Sequence, residues 1–354
     1  MQTYTEFRNS YHHFTWKKVL FIIICIIASI ASLGIGLSVG DYEISFIDSY
    51  VTLWKHIVGT IPETYDEMMA YYVVWELRLP RTIGTLCVGA VLAICGVAMQ
   101  CTMKNPLADP YTTGISSGAS FGVALLAIYG FSLIPSLSYN FQVVVNAFIF
   151  SLIPTAIILF FSKIRKTSPT RMILTGIAVM YIFSATTSLL MLTADPDNLA
   201  EVYNWNLGNL GSLKWNNIPF CVSSSFVCIT MLTVLAKKLN ILGMEDGAVK
   251  SLGIEPNKLR TIILMIVSVC TALIVSFTGT IGFVGLVIPH IVRLVIGSDC
   301  KYLIPASAVF GGLFLIICDM IAKSVMVSGL PVGVITSLIG GPLFIYILLK
   351  QSKN

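Results

Sequence analysis

Long apolar runs separated by short polar connections dominate this 354-residue chain. Four runs carry no charged residue and reach the roughly 20 residues that a helix needs to cross a bilayer core: 19–40, 82–103, 172–193 and 215–236. The uncharged stretch 111–162 is too long for one crossing, and Gly130, Pro135 and the polar residues 136–140 divide it into two. Residues 261–289 are interrupted at Gly279 to Gly282, which predicts one full span and a shorter piece ending near Arg293. Further spans are expected over 303–324 and 332–349. The pattern predicts an all-α, polytopic membrane protein of about ten helices, forming a single transmembrane unit over 1–354. Gly/Pro interruptions at 279–285 and at Gly340 to Pro342 point to broken helices, and unwound backbone at membrane depth needs protein or a water-filled cavity beside it. The first run leaves through GIGLSVG at 34–40 with no small-residue cleavage pattern, so it is expected to be a retained helix.

Composition agrees with this pattern: 56% of residues are apolar and 11% charged, about half the charged fraction of a soluble domain. The net charge of +5 follows from membrane topology and does not mark a nucleic-acid surface. With ten spans and both termini cytoplasmic, 17 of the 22 Lys and Arg fall on the cytoplasmic side, among them Arg8, Lys104, Arg165, Lys166, Lys250, Arg260 and Lys353. Lys55, Arg78, Arg81, Lys214 and Lys323 face outward. Two hydrophilic segments remain. The external loop 41–81 holds seven acids and is expected to contain one amphipathic helix; the cytoplasmic insert is 237–260.

Little in the sequence suggests chemistry in this chain. Gly114 to Gly118 fits the G-x-S-x-G of a hydrolase, yet Ser116 opens a transmembrane helix where that motif requires a strand and a turn. The histidines, His12, His13, His56 and His290, have no metal-ligand spacing, and the nine cysteines include no C-x-x-C pair. No catalytic residue, metal site or resident cofactor is expected. A phosphate-binding G-x-x-x-x-G-K-[ST] is missing, so ATP-driven work would need ATP and magnesium on a separate ATPase. Asp319 is the one acid inside a predicted span, with Lys323 one turn later on the same face. Such a pair is read either as mutual neutralisation near the outer interface or as a proton carrier of a secondary transporter.

An ordered series of motifs carries a family resemblance across nearly the whole chain: Arg78 to Arg81 (RLPR), Gly89, Gly96 to Gln100, Asn105 to Pro110 (NPLADP), Gly114 to Ala119 (GISSGA) and Leu174 to Ile177 (LTGI). It continues with Trp205, Leu207 and Gly208, Gly211 to Leu213, Gly243 to Gly253, Gly279 to Arg293, Asp319, and Leu330 to Pro342. In these residues the chain resembles the FecCD-type permeases of type II ABC importers, which serve ferric siderophores, haem and vitamin B12. The resemblance implies ten spans in the cytoplasmic membrane of a prokaryote, surrounded by lipid. It also implies a second permease copy or paralogue, two cytoplasmic ATPases and an external substrate-binding protein. Arg78 and Arg81 would receive acids of the binding protein, with Lys323 standing where the family has a third arginine. Gly329 replaces a common glutamate. Gly243, Met244, Glu245, Ala248, Leu252 and Gly253 would form the coupling segment, with Met244, Ala248, Val249 and Leu252 as an apolar stripe for a groove on the ATPase. Ser168 and Thr170 would mark a cytoplasmic gate interrupted by Pro169, with Gln100 and Asn105 beside the pathway.

Overall fold

A computed structural model describes residues 4–164, 168–325 and 329–351. Arg165, Lys166 and Lys353 of the charge tally lie outside them, and the side chains of Arg8, His12 and His13 are likewise not described. All regular structure among the described residues is helical. The helices are α1 (Tyr4–Ser38), α2 (Phe46–Val58), α3 (Tyr65–Tyr71), α4 (Leu79–Met103), α5 (Ile115–Tyr129), α6 (Tyr139–Ile164), α7 (Pro169–Met191) and α8 (Pro196–Asn206). They continue as α9 (Ile218–Val234), α10 (Ala236–Leu242), α11 (Asp246–Ser251), α12 (Pro256–Thr278), α13 (Val284–Ile296), α14 (Cys300–Val325) and α15 (Val332–Gln351). Six helical stretches are long and apolar enough to cross a membrane, and α9 with α10 makes a seventh if their 58° bend falls within one span. Three apolar helices, in α5, α13 and α15, are shorter. Each of the ten segments expected from sequence therefore holds an apolar helix.

Helix α4 is the central pillar, buried along most of its length against α14, α9, α13 and α12. Small residues let backbones meet there. A Cβ on Gly96 would lie 1.8 Å from the Gly285 carbonyl oxygen, and one on Gly89 would lie 2.3 Å from that of Gly311. Close backbone approach of this kind is how helices associate where no hydrophobic difference from the solvent drives them together. The Gly118 and Gly122 stripe of α5 serves the same end inside the chain, facing Phe150, Pro154 and the Asn146 carbonyl on α6. By contrast α1 and α7 stand at the periphery with most of their apolar surface uncovered.

Two expectations need correction. The segment 41–81 is not a loop with one helix. It is α2, then α3, then a π-helical turn over Tyr72–Arg78 that runs directly into α4, so one continuous helix occupies Tyr65–Met103. The acids Asp66, Glu67 and Glu76 and the cations Arg78 and Arg81 masked the first four turns, leaving only the eight-residue apolar run 68–75, too short to mark a span. Second, α15 passes unbroken through Gly340 and Pro342; the small residue there makes room for the Phe283 side chain, whose Cβ lies 2.5 Å and nearest ring carbon 2.9 Å from where a Gly340 Cβ would stand. The hydrophilic insert 237–260 is mostly helix: α10 prolongs α9 past its bend, α11 follows, and α12 begins at Pro256. The break between α12 and α13 does occur at Gly279 to Phe283.

Candidate functional site

Two places on the 65–103 helix carry the charges that the sequence singled out. Where the π turn joins α4, a cavity of about 330 Å³ collects Arg78, Arg81, Lys214 and Lys323, with Asp41 among its lining residues. The π turn leads into it: one extra residue per turn shifts the register of the side chains, a feature common at functional positions. Arg78 is buried and its guanidinium donates to the carbonyls of Leu37 (2.8 Å), Ser38 (3.0 Å) and Tyr42 (2.5 Å), clasping the turn between α1 and α2. Arg81 donates through Nε and Nη2 to Asp319 Oδ1 at 3.0 and 2.7 Å. Lys323 Nζ stands 2.8 Å from the other carboxylate oxygen. Asp319 thus has each oxygen engaged by a cation, an arrangement that favours mutual neutralisation over a lone proton carrier.

Three docking cations expected from sequence therefore share one cavity. Lys214, the most exposed cation of the pocket, was counted only as an outward charge. Trp215 beside it donates Nε1–H to the Trp75 carbonyl at 2.9 Å, fixing Lys214 against the π turn. A basic residue directly before a tryptophan between two apolar runs was the available signal.

The C-terminal end of the helix closes at Lys104, which adopts the left-handed conformation (φ 49°). Its ammonium reaches Asp246 Oδ1 at 2.7 Å and donates to the Met244 carbonyl. Arg260, fully buried at the start of α12, grips the same carboxylate with two bonds of 2.6 and 2.9 Å and donates Nε–H to the Thr102 carbonyl at 3.3 Å. Arg260, with help from Lys104, holds the Asp246 carboxyl well below the usual carboxylate range. The segment Gly243 to Gly253 is in this way bolted to α4 and α12 through one aspartate.

Around that anchor, Gly243, Met244, Glu245, Ala248, Leu252 and Gly253 are all exposed. Val249 is not: it is buried beneath α11, so the expected apolar stripe reduces to Met244, Ala248 and Leu252. Gly253 takes φ +76°, a conformation that suits glycine, where α11 turns toward α12. Ser168 is the N-cap of α7, accepting from the Arg171 N–H at 3.4 Å, and Pro169 occupies the first helical position, so Pro169 begins the helix where the sequence suggested an interruption. Thr170 is exposed beside it. Gln100 is packed inside the protomer, accepting from Arg293 (3.0 Å) and donating to the Leu286 carbonyl (3.3 Å), so it lines no open wall here. Asn105 makes a turn, its Oδ1 accepting from the Leu107 N–H at 2.9 Å.

Between these two places, the unwound residues 279–283 border an open cavity of about 550 Å³ lined by Tyr111, Ser116, Asn206, Thr280, Ser337 and Leu338. Thr280 donates to the Asn206 carbonyl at 2.5 Å and Ile281 N–H to the Tyr111 hydroxyl at 3.2 Å, so the freed backbone is partly satisfied from neighbouring elements. Phe283 holds φ +68°, a strained conformation for a residue with a side chain. Ser116 lies in the first turn of α5, with no strand before it, which removes the hydrolase reading of its motif.

Residues 13–350 match the FecCD transport family. This chain belongs to that family. Among FecCD relatives, the hemin transport system permease protein HmuU of Yersinia pestis is 34% identical over 309 residues, covering 86% of this chain and 89% of that protein. The molybdate import system permease protein MolB of Haemophilus influenzae is 30% identical over 344 residues, covering 96% and 98%. A solved inward-facing conformation of a metal-chelate type ABC transporter superposes with a TM-score of 0.81 at 28% identity, over 93% of this chain and 98% of that one. The FecCD chain described here is thus an all-α integral membrane protein of the ABC permease type.

Proposed function

We propose that this chain is the transmembrane subunit of a binding-protein-dependent ABC importer that moves a metal chelate, such as a ferric siderophore or haem, or a corrinoid, into the cytoplasm. The observation that carries the reading is the single helix 65–103 with a basic pocket where its π turn joins α4 and an ion-locked, exposed segment at its C-terminal end. An external substrate-binding protein docks acids on Arg81, Lys214 and Lys323, while Arg78 supports the pocket from beneath. Two cytoplasmic ATPases, which hold ATP and magnesium, each receive Met244, Ala248 and Leu252 of one permease copy in a groove. Closure of the ATPases displaces this segment and, through the Asp246 anchor, α4 and α12, the latter running directly into the unwound residues 279–283 that border the open cavity; the two distant sites are coupled because each favours one arrangement of the same helices. A second copy or a paralogue completes the pathway in the cytoplasmic membrane, with both termini inside the cell.

The test is uptake of labelled ferric siderophore, haem, cobalamin and molybdate in cells lacking other importers. Wild type is compared with Lys214→Glu and with Leu252→Asp at equal membrane level. Accumulation of a metal chelate or corrinoid, lost in both variants, is the expected result. Uptake unaffected by Leu252→Asp in an assembled complex removes the coupling assignment, and accumulation of molybdate alone removes the substrate class.

A further inference from the structure

Helix α2 carries an apolar face that the described residues leave largely uncovered. Ile47, Tyr50, Val51, Trp54, Ile57 and Val58 follow helical spacing along a single arc of about 120° at 100° per residue, and all are exposed, Trp54 to 66% and Ile47 to 71%. Ile61, just past the Gly59 cap, continues the arc. No charge interrupts it. The charged and hydrogen-bonding residues lie elsewhere on the helix: Lys55 pairs with Glu67 at 2.8 Å, buried Ser49 donates to the Leu37 carbonyl, and the His56 ring stacks on Trp75 with centroids 3.7 Å apart.

The position of α2 is fixed at the end of a membrane span. Seven residues join it to α1, whose apolar stretch runs to Ser38. Arg78 clasps that connection, and Tyr50 lies directly on Gly34, where a Cβ would stand 1.8 Å from its hydroxyl oxygen. Counting back from Gly34 by four, seven and eleven residues along α1 gives Ile30, Ile27 and Ile23, all exposed on that same face. These isoleucines form an uncovered apolar stripe on a helix long and apolar enough to cross a membrane, and the apolar arc of α2 begins where that stripe ends.

We infer that α2 lies in the interface of the leaflet at which α1 ends, with Trp54 and the flanking aliphatic side chains inserted at the boundary between headgroups and acyl chains. An apolar arc opposite a polar face, with Trp and Tyr among its members, is the chemistry of an in-plane interfacial helix. The lipid-seated helix then holds the wall of the basic pocket at a fixed depth, through His56 on Trp75 and Trp75 against Trp215.

The experiment places single nitroxide labels as I47C, W54C and V58C on the apolar arc and as D48C and K55C on the polar side, in the intact permease in nanodiscs of phosphatidylglycerol and phosphatidylcholine. All nine native cysteines are buried or half-buried, which favours labelling at the introduced ones. Collision with oxygen should exceed collision with a nickel chelate at the three apolar positions, and the order should reverse at the two polar ones. Nickel chelate favoured at all five positions would mean water on both faces and overturn the inference. Exclusion of both agents at the apolar positions would mean a protein cover, a second copy or a binding protein, and overturn it equally. As a second measurement on unlabelled protein, brominated lipids should quench wild-type fluorescence more than that of Trp54→Phe; equal quenching refutes lipid contact.

Discussion

The two ion clusters at the two ends of α4 are built with opposite polarity. In the pocket cluster the acid is the buried member, Asp319 at 3% exposure, served by two cations. In the coupling cluster the cation is buried, Arg260 at 0%, and its acid Asp246 is 43% exposed. An exposed carboxylate can be hydrated when its partner lets go, whereas a buried one cannot. The pocket cluster therefore behaves as a rivet that fixes α4 to α14, and the coupling cluster as a latch whose acid already sits at the surface a partner would touch. Removal of one charge from each should expose this difference.

The largest effect is expected for Asp319→Ala, which leaves Lys323 and Arg81 facing each other without a counter-charge; breaking a buried pair costs about 3–5 kcal/mol. Thermal unfolding of the detergent-solubilised protein reads it, and adding Lys323→Met should recover part of the loss. No recovery would mean that Asp319 acts through something other than charge balance. Asp246→Asn should cost less, about 1–3 kcal/mol for weakened bonds to a buried guanidinium, because water reaches the site. Its pH dependence sharpens the contrast. Since the folded-state pKa of Asp246 is depressed, its contribution is complete above the unfolded value of about 3.9 and is lost as pH falls further, through the folded value. The stability gap between wild type and Asp246→Asn should therefore hold from pH 7 to pH 5 and narrow only below about 4; a gap that closes already near pH 6 contradicts the latch geometry. Smaller still is Lys104→Ala, a partly exposed pair member contributing under about 1 kcal/mol, detectable as a small shift in unfolding temperature. Lys214→Glu should leave that temperature unchanged while reducing uptake.

Much of this was legible in the sequence. Charge-free runs of about 20 residues have one stable outcome in a bilayer, so every expected span contains a helix, and the glycines at 279–282 marked a true break because Gly279 needs φ +68°. Arg78, Arg81 and Lys323 were legible as outward charges and do share a cavity. What stayed hidden depends on partners distant in sequence. The helical turns over 65–78 carry only the eight-residue apolar run 68–75, bounded by acids and too short for a span, and they are held by packing of His56 and Trp215 on Trp75. Gly340 looked like a helix breaker because its role, making room for Phe283, belongs to another element. The latch was invisible for the same reason: Lys104, Asp246 and Arg260 are spread over more than 150 positions, and each alone looked like an ordinary cytoplasmic charge. Val249 fitted the apolar stripe by spacing, but a helix as short as α11 must bury its one large apolar side chain to stay docked.

The unbroken helix from Tyr65 to Met103 has 39 residues, a contour of about 58 Å at 1.5 Å per residue. A hydrocarbon core is only about 30 Å thick, and membranes of different lipid composition vary around that by a few ångströms. The pocket cation Arg81 and the latch cation Lys104 are 23 residues apart along the helix, about 35 Å at the same rise, only a few ångströms more than the core. The excess length lies over 65–78, beyond the pocket, so the spacing of pocket and latch is set by helical rise and stays fixed while the bilayer around it varies.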